Sequence, residues 1–140
     1  MKQDAMTEAT LTRLKIVTAV QLFSVLSLIP VLWIVDTYLE LKPPALSFPP
    51  LILPALGVAA AVASLVARKA LMAKVPEART DDERLQRLMV AGIVPQALAE
   101  GCALMGVVGY FLGTGHGAPE IAIGIAAALI LLYRPQPDQN

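Results

Sequence analysis

The chain has 140 residues, 56% hydrophobic and 16% charged, with a mean hydropathy of +0.66, which is too apolar for an ordinary soluble domain of this size. Its 11 basic and 11 acidic residues cancel, so there is no electrostatic footprint for nucleic acid and none is expected as a partner. Cys102 is the single cysteine, which excludes an intrachain disulfide and a thiol-based metal site.

Four apolar segments follow in chain order. The first, Leu14 to Val35, is long enough to cross a bilayer alone, since a span takes roughly 17 to 25 apolar residues. It is not read as a cleaved signal: the core is too long, Asp4 and Glu8 precede it, and no small-x-small cleavage pattern follows. The connection Lys42-Pro43-Pro44 to Phe48-Pro49-Pro50 is proline-dense and predicts a stiff, extended loop. The second segment, Leu51 to Ala67, is short and borrows flanking residues. Thr80-Asp81-Asp82-Glu83 then has the form of a capping box, so a third helix should begin well before its apolar run, Leu88 to Leu112. Gly113-Thr114-Gly115-His116-Gly117 predicts a flexible turn with a solvated His116. The fourth segment, Ile121 to Tyr133, is also short, and Arg134-Pro135 closes it. The fold class predicted is all-α: a single integral membrane domain, a bundle of four transmembrane helices over about 14–35, 51–70, 88–112 and 119–133.

Orientation follows from the basic residues. Lys2, Arg13 and Lys15 lie before or at the start of the first segment, Arg68, Lys69, Lys74, Arg79, Arg84 and Arg87 lie around the second connection, and Arg134 follows the fourth segment. The first connection has only Lys42 and the third has no basic residue. Lys and Arg concentrate on the cytoplasmic side, so both termini are predicted to be cytoplasmic, in the lipid bilayer of a cell (inner) membrane. Trp33, Tyr38, Phe48, Tyr110 and Phe111 then mark the outer boundary and Tyr133 the inner one. Asp36 and Glu40, at the outer end of the first segment, read as a wet interfacial pair.

Glu100 stands out because it lies near the middle of the third run, about 18 Å from either end at 1.5 Å per residue. An ionised carboxylate at that depth costs several kcal/mol, so such groups usually face the bundle interior and serve a relay, a pathway or a partner contact. No basic residue lies deep inside an apolar run, Lys15 standing at the very start of the first, so Glu100 is expected to rest in its protonated form unless a cation or another chain meets it. Gln96, four residues earlier, shares its helix face. Pro95 removes a backbone donor and should leave the Ala91 carbonyl free. In the first helix, Gln21, Ser24 and Ser27 share a loose face at similar depth, so Gln21, Ser24, Gln96 and Glu100 are predicted to form one polar cluster. Small residues, Gly57, Ala59, Ala61 and Ser64 in the second helix and Gly101, Cys102 and Gly106 in the third, predict close helix packing.

The run Glu100-Gly101-Cys102-Ala103-Leu104-Met105-Gly106-Val107-Val108 resembles the outer helix of rotary ATPase proteolipid (c-type) subunits, in which an ion-carrying glutamate precedes small and then branched residues. Gly57, Ala59, Ala61 and Ala63 resemble the small-residue inner helix of that hairpin, and Arg68 with Pro76-Glu77 resembles its basic loop. The resemblance covers helices two and three, about half the chain. It implies an ion-binding role for Glu100 and a supporting one for Gln96. The chain departs from the family pattern in carrying its carboxylate in helix three of four and in favouring alanine over glycine.

These features predict a small polytopic membrane protein that uses Glu100 to bind a proton or small cation within a homo-oligomer or a larger membrane complex. The alternative is a structural or accessory subunit in which Glu100 only joins helices or partners. No enzyme is expected, because neither a paired catalytic carboxylate set nor a Ser-His, Cys-His or phosphate-loop pattern is present. No cofactor is expected, and a lone His116 gives no metal-ligand pattern.

Overall fold

The computed structural model describes residues 2–39 and 51–135, with side-chain packing from residue 6 onward. The protein is all-α, as its composition predicts: α1 is Lys2–Leu39, α2 Ile52–Ala73, α3 Asp81–Gly109 and α4 Ala118–Leu132, with a π-helical turn, Tyr110–Thr114, continuing α3. Three helices, α1, α2 and α3, are long and apolar enough to cross a membrane. At 15 residues, α4 is about 22 Å long, shorter than the hydrocarbon layer of about 30 Å.

The helices begin and end for local reasons. Thr80 is extended at the start of α3, and its Oγ1 accepts the Glu83 N–H at 3.2 Å. Glu83 completes the cap differently from the predicted box: its Oε2 accepts from the Arg79 N–H at 2.9 Å, one residue upstream, while Oε1 pairs with Arg87 at 2.6 Å. Two prolines sit inside helices, Pro30 in α1 and Pro95 in α3. Gly113, Gly115 and Gly117 all have positive φ (98°, 71° and 102°), a region open to glycine at little cost, and they reverse the chain into α4. The last of them donates its N–H to Glu120 Oε2 at 2.6 Å, fixing the start of α4.

Contacts set the directions of packing. Leu14 lies beside Gly92, Thr18 beside Gln96, Ser24 beside Glu100 and Asp36 beside Tyr110, so α1 and α3 run parallel. Ser64 meets Pro95 and Arg68 meets Ala91, so α2 is antiparallel to α3. Gly106 lies against Pro119 and Ala122, so α4 is antiparallel as well. The result is an up-down-up-down bundle in which α3 packs on all three other helices, while no close backbone approach joins α1 and α2 among the described residues.

The core joins α1, α3 and α4: Val25 and Leu32, Ala99 and Ala103, and Ile123, Ala126, Ala127 and Ile130. The alanines of α3 let larger side chains of α1 and α4 approach its backbone. Of the small residues the sequence singles out, Gly57, Ser64, Cys102 and Gly106 pack between helices, whereas Ala59 is exposed and a Cβ at Gly101 would meet nothing within 4 Å. On the opposite side α2 buries only Gly57 and Ser64, two turns apart on one face. Phe23, Trp33, Val62, Leu104 and Leu132 point outward. The exterior is therefore apolar along the helices, and the interior carries much of the polarity.

Candidate functional site

The α1–α3 seam collects the polar side chains that the sequence singled out. Ser24 Oγ donates to Glu100 Oε1 at 3.3 Å, linking two of the four expected members. Glu100 is half-buried, and among the described residues no basic side chain pairs with it. Gln96 is 1% exposed and takes a different partner from those expected. Its Nε2 donates to Thr18 Oγ1 at 2.8 Å, and Thr18 in turn donates to the Leu14 carbonyl at 2.8 Å. The single Thr18 proton is committed to a carbonyl, so the amide nitrogen, and not the amide oxygen, must face it. The oxygens Gln96 Oε1 and Gln21 Oε1 are buried without a hydrogen-bond partner among the described residues.

The expected cluster thus becomes two linked pairs, Thr18–Gln96 and Ser24–Glu100, with Gln21 between Thr18 and Ser24 in α1. Gln21 bonds to neither Gln96 nor Glu100. Thr18 was illegible because a threonine in an apolar helix is ordinarily satisfied by its own backbone, and this one is, through Leu14.

A second polar group closes the α2 side of α3. Ser64, wholly buried, is bonded to the Pro95 carbonyl and to the Tyr133 hydroxyl, each at 2.8 Å. Ser64 has one proton and gives it to the carbonyl, which can only accept, so the Tyr133 hydroxyl supplies the other bond. The Ala91 carbonyl, which Pro95 cannot engage, meets Arg68 Nη1 at 3.4 Å. Arg68 Nη1 also reaches the Tyr133 carbonyl at 3.3 Å, and its guanidinium lies over the Tyr133 ring, 5.2 Å from the centroid. Read from sequence as a topology charge, Arg68 also caps the proline break.

A third cluster lies at the far end of the seam, where His116 and Asp36 are exposed, as the sequence predicts, and also pair with each other. His116 Nδ1 lies 2.8 Å from Glu120 Oε1 and Nε2 lies 3.4 Å from Asp36 Oδ2, while Tyr110 donates to Asp36 Oδ1 at 2.9 Å. The ring stacks obliquely between Trp33 and Tyr110, with centroids at 5.8 and 5.0 Å. Glu40 lies outside the described residues. The three glycines fold His116 back between α1 and α4, a consequence of turn geometry that the motif alone did not carry.

Both imidazole nitrogens face carboxylate oxygens, which only the doubly protonated ring satisfies. Glu120, and after it Asp36, accordingly hold the His116 pKa above its ordinary 6.5. This latch of His116 on Glu120 and Asp36 therefore contributes in full just below about pH 6.5, is lost as pH rises through the raised imidazole value, and is lost again in acid as Glu120 and Asp36, both held below their ordinary range, take up protons. Melting curves followed by helical ellipticity should show stability falling across that rise, and His116→Gln should flatten the profile. An unchanged profile in the variant would count against the latch.

Among the described residues no group of three or more His, Cys, Asp and Glu side chains could hold a metal ion. No family model, curated protein or solved structure matches this chain. Function is therefore argued from the chemistry of the seam: a carboxyl bonded to a hydroxyl, and two buried amide oxygens with unused acceptor capacity.

Proposed function

We propose that this protein is a small polytopic membrane subunit in which Glu100 reversibly binds a proton within an oligomeric or mixed complex. The observation that carries the reading is the Ser24–Glu100 pair. A hydroxyl donates to a carboxylate and accepts from a carboxylic acid, so this contact accommodates both protonation states without rearrangement. The three long apolar helices support membrane residence, and the distribution of Lys and Arg supports an inner membrane with both termini in the cytoplasm. The similarity of helices two and three to proteolipid hairpins supports the same role for Glu100, with Gln96 as its neighbour.

One further observation favours a second reading. Glu100 is only half-buried and shares an outward face with the exposed Leu104, one turn on, so its carboxyl is also available to another chain. In that reading the acid mates polar surfaces and carries no ion.

The two readings separate on Glu100→Gln. A carbodiimide that attacks protonated carboxyls should label the wild-type chain at Glu100 at mildly acidic pH and leave the variant unlabelled there. Complete resistance of the wild type would sink proton binding. Native mass measurements decide assembly: retained mass with an altered proton response supports the proton role, and loss of the complex with no change in proton response supports the contact role.

A further inference from the structure

Gln96, whose side-chain oxygen is unspent, lines a small cavity on the Arg68 side of the seam. The cavity has a volume of about 20 Å³ and is lined by Leu14, Thr18, Arg68, Gly92, Gln96 and Tyr133. About 10–15 Å³ suffices for one water, provided two to four polar groups meet it. The walls supply them. Gln96 Oε1 is buried with no partner among the described residues and can accept a hydrogen bond. The Arg68 guanidinium has five N–H donors, of which the contacts with Ala91 and Tyr133 engage Nη1 alone. Thr18 Oγ1 receives the Gln96 amide and retains a lone pair. A carboxylate or phosphate group would not fit the volume, and an empty apolar cavity would leave a buried carbonyl oxygen unsatisfied, at a cost of about 1–3 kcal/mol.

We infer that this cavity is a binding site for one ordered water, held between Arg68 and Gln96, and that it hydrates the seam from the Arg68 end.

A measurement on the full chain in lipid nanodiscs tests this. Magnetisation transfer from water to the Leu14 methyl groups should be present in the wild type. It should be lost in Gln96→Met, which keeps the volume and removes the acceptor. It should also be lost in Gly92→Ala, whose new Cβ would lie 2.8 Å from Leu14 Cδ2 and crowd the cavity wall while leaving Gln96 intact. Absence of the water signal from the wild type overturns the site, and a signal retained in Gln96→Met overturns its assignment to Gln96.

Discussion

Replacing Gly106 by valine should lower the stability of the bundle by about 1–3 kcal/mol, the usual cost of forcing extra carbon into a packed interface. A Cβ at Gly106 would lie 2.6 Å from the Ala122 Cβ and 3.1 Å from the Pro119 Cα. Both are atoms fixed close to the α4 backbone, so no side-chain rotation relieves the conflict, and α3 and α4 must separate. Gly101 provides the control on the same helix. A Cβ there meets nothing within 4 Å, so Gly101→Ala should be neutral or raise stability by about 0.4–1 kcal/mol, through the lower conformational entropy of the unfolded chain. Reversible unfolding in mixed micelles, followed by helical ellipticity, checks both. Equal effects of the two substitutions would mean that glycine in α3 serves only the backbone and not the α3–α4 contact.

Ser64→Ala should cost about 1–3 kcal/mol because it strands the Tyr133 hydroxyl in a buried position. The more informative variant is the double one. Tyr133→Phe alone leaves Ser64 donating to Pro95 and should be mild. Ser64→Ala with Tyr133→Phe removes both hydroxyls and should recover much of the loss, because no hydroxyl remains without a partner. The coupling between the two sites, read from the four-way cycle, should be well above the few tenths of a kcal/mol seen for independent positions. Additive losses would show that Ser64 acts through its contact with Pro95 alone.

How much of this was legible in the sequence differs from residue to residue, and the differences have physical causes. Four helices, the Thr80 cap and the central place of Glu100 follow from apolar runs and local backbone needs, which are written in neighbouring residues. Pro95 announces that Ala91 will lack its donor, for the same reason. The residue that reaches that carbonyl, Arg68, comes from another helix, and no local rule selects it among the basic residues of that region. The Ser24–Glu100 contact follows from depth, which can be counted from the ends of the parallel helices one and three. Depth alone does not choose among the side chains of α1: Thr18 shares the face of Val25 and Leu32, at intervals of seven, and it is Thr18, not Gln21, that meets Gln96. The exposure of His116 follows from its glycine-rich turn, but its pairing with Glu120 and Asp36 depends on three alternate glycines at positive φ that define the reversal.

That α3 packs on every other helix, while no close backbone approach joins α1 and α2 among the described residues, has a consequence for the order of events during synthesis. When only the first two helices have been made, they have no close-packed seam with each other, and Thr18, Ser24 and Ser64 have yet to receive Gln96, Glu100 and Pro95. The emergence of α3 supplies the missing partner on both sides at once. The first half of the chain is thus a waiting pair of strangers, and the bundle acquires its identity in the single step that introduces its third helix.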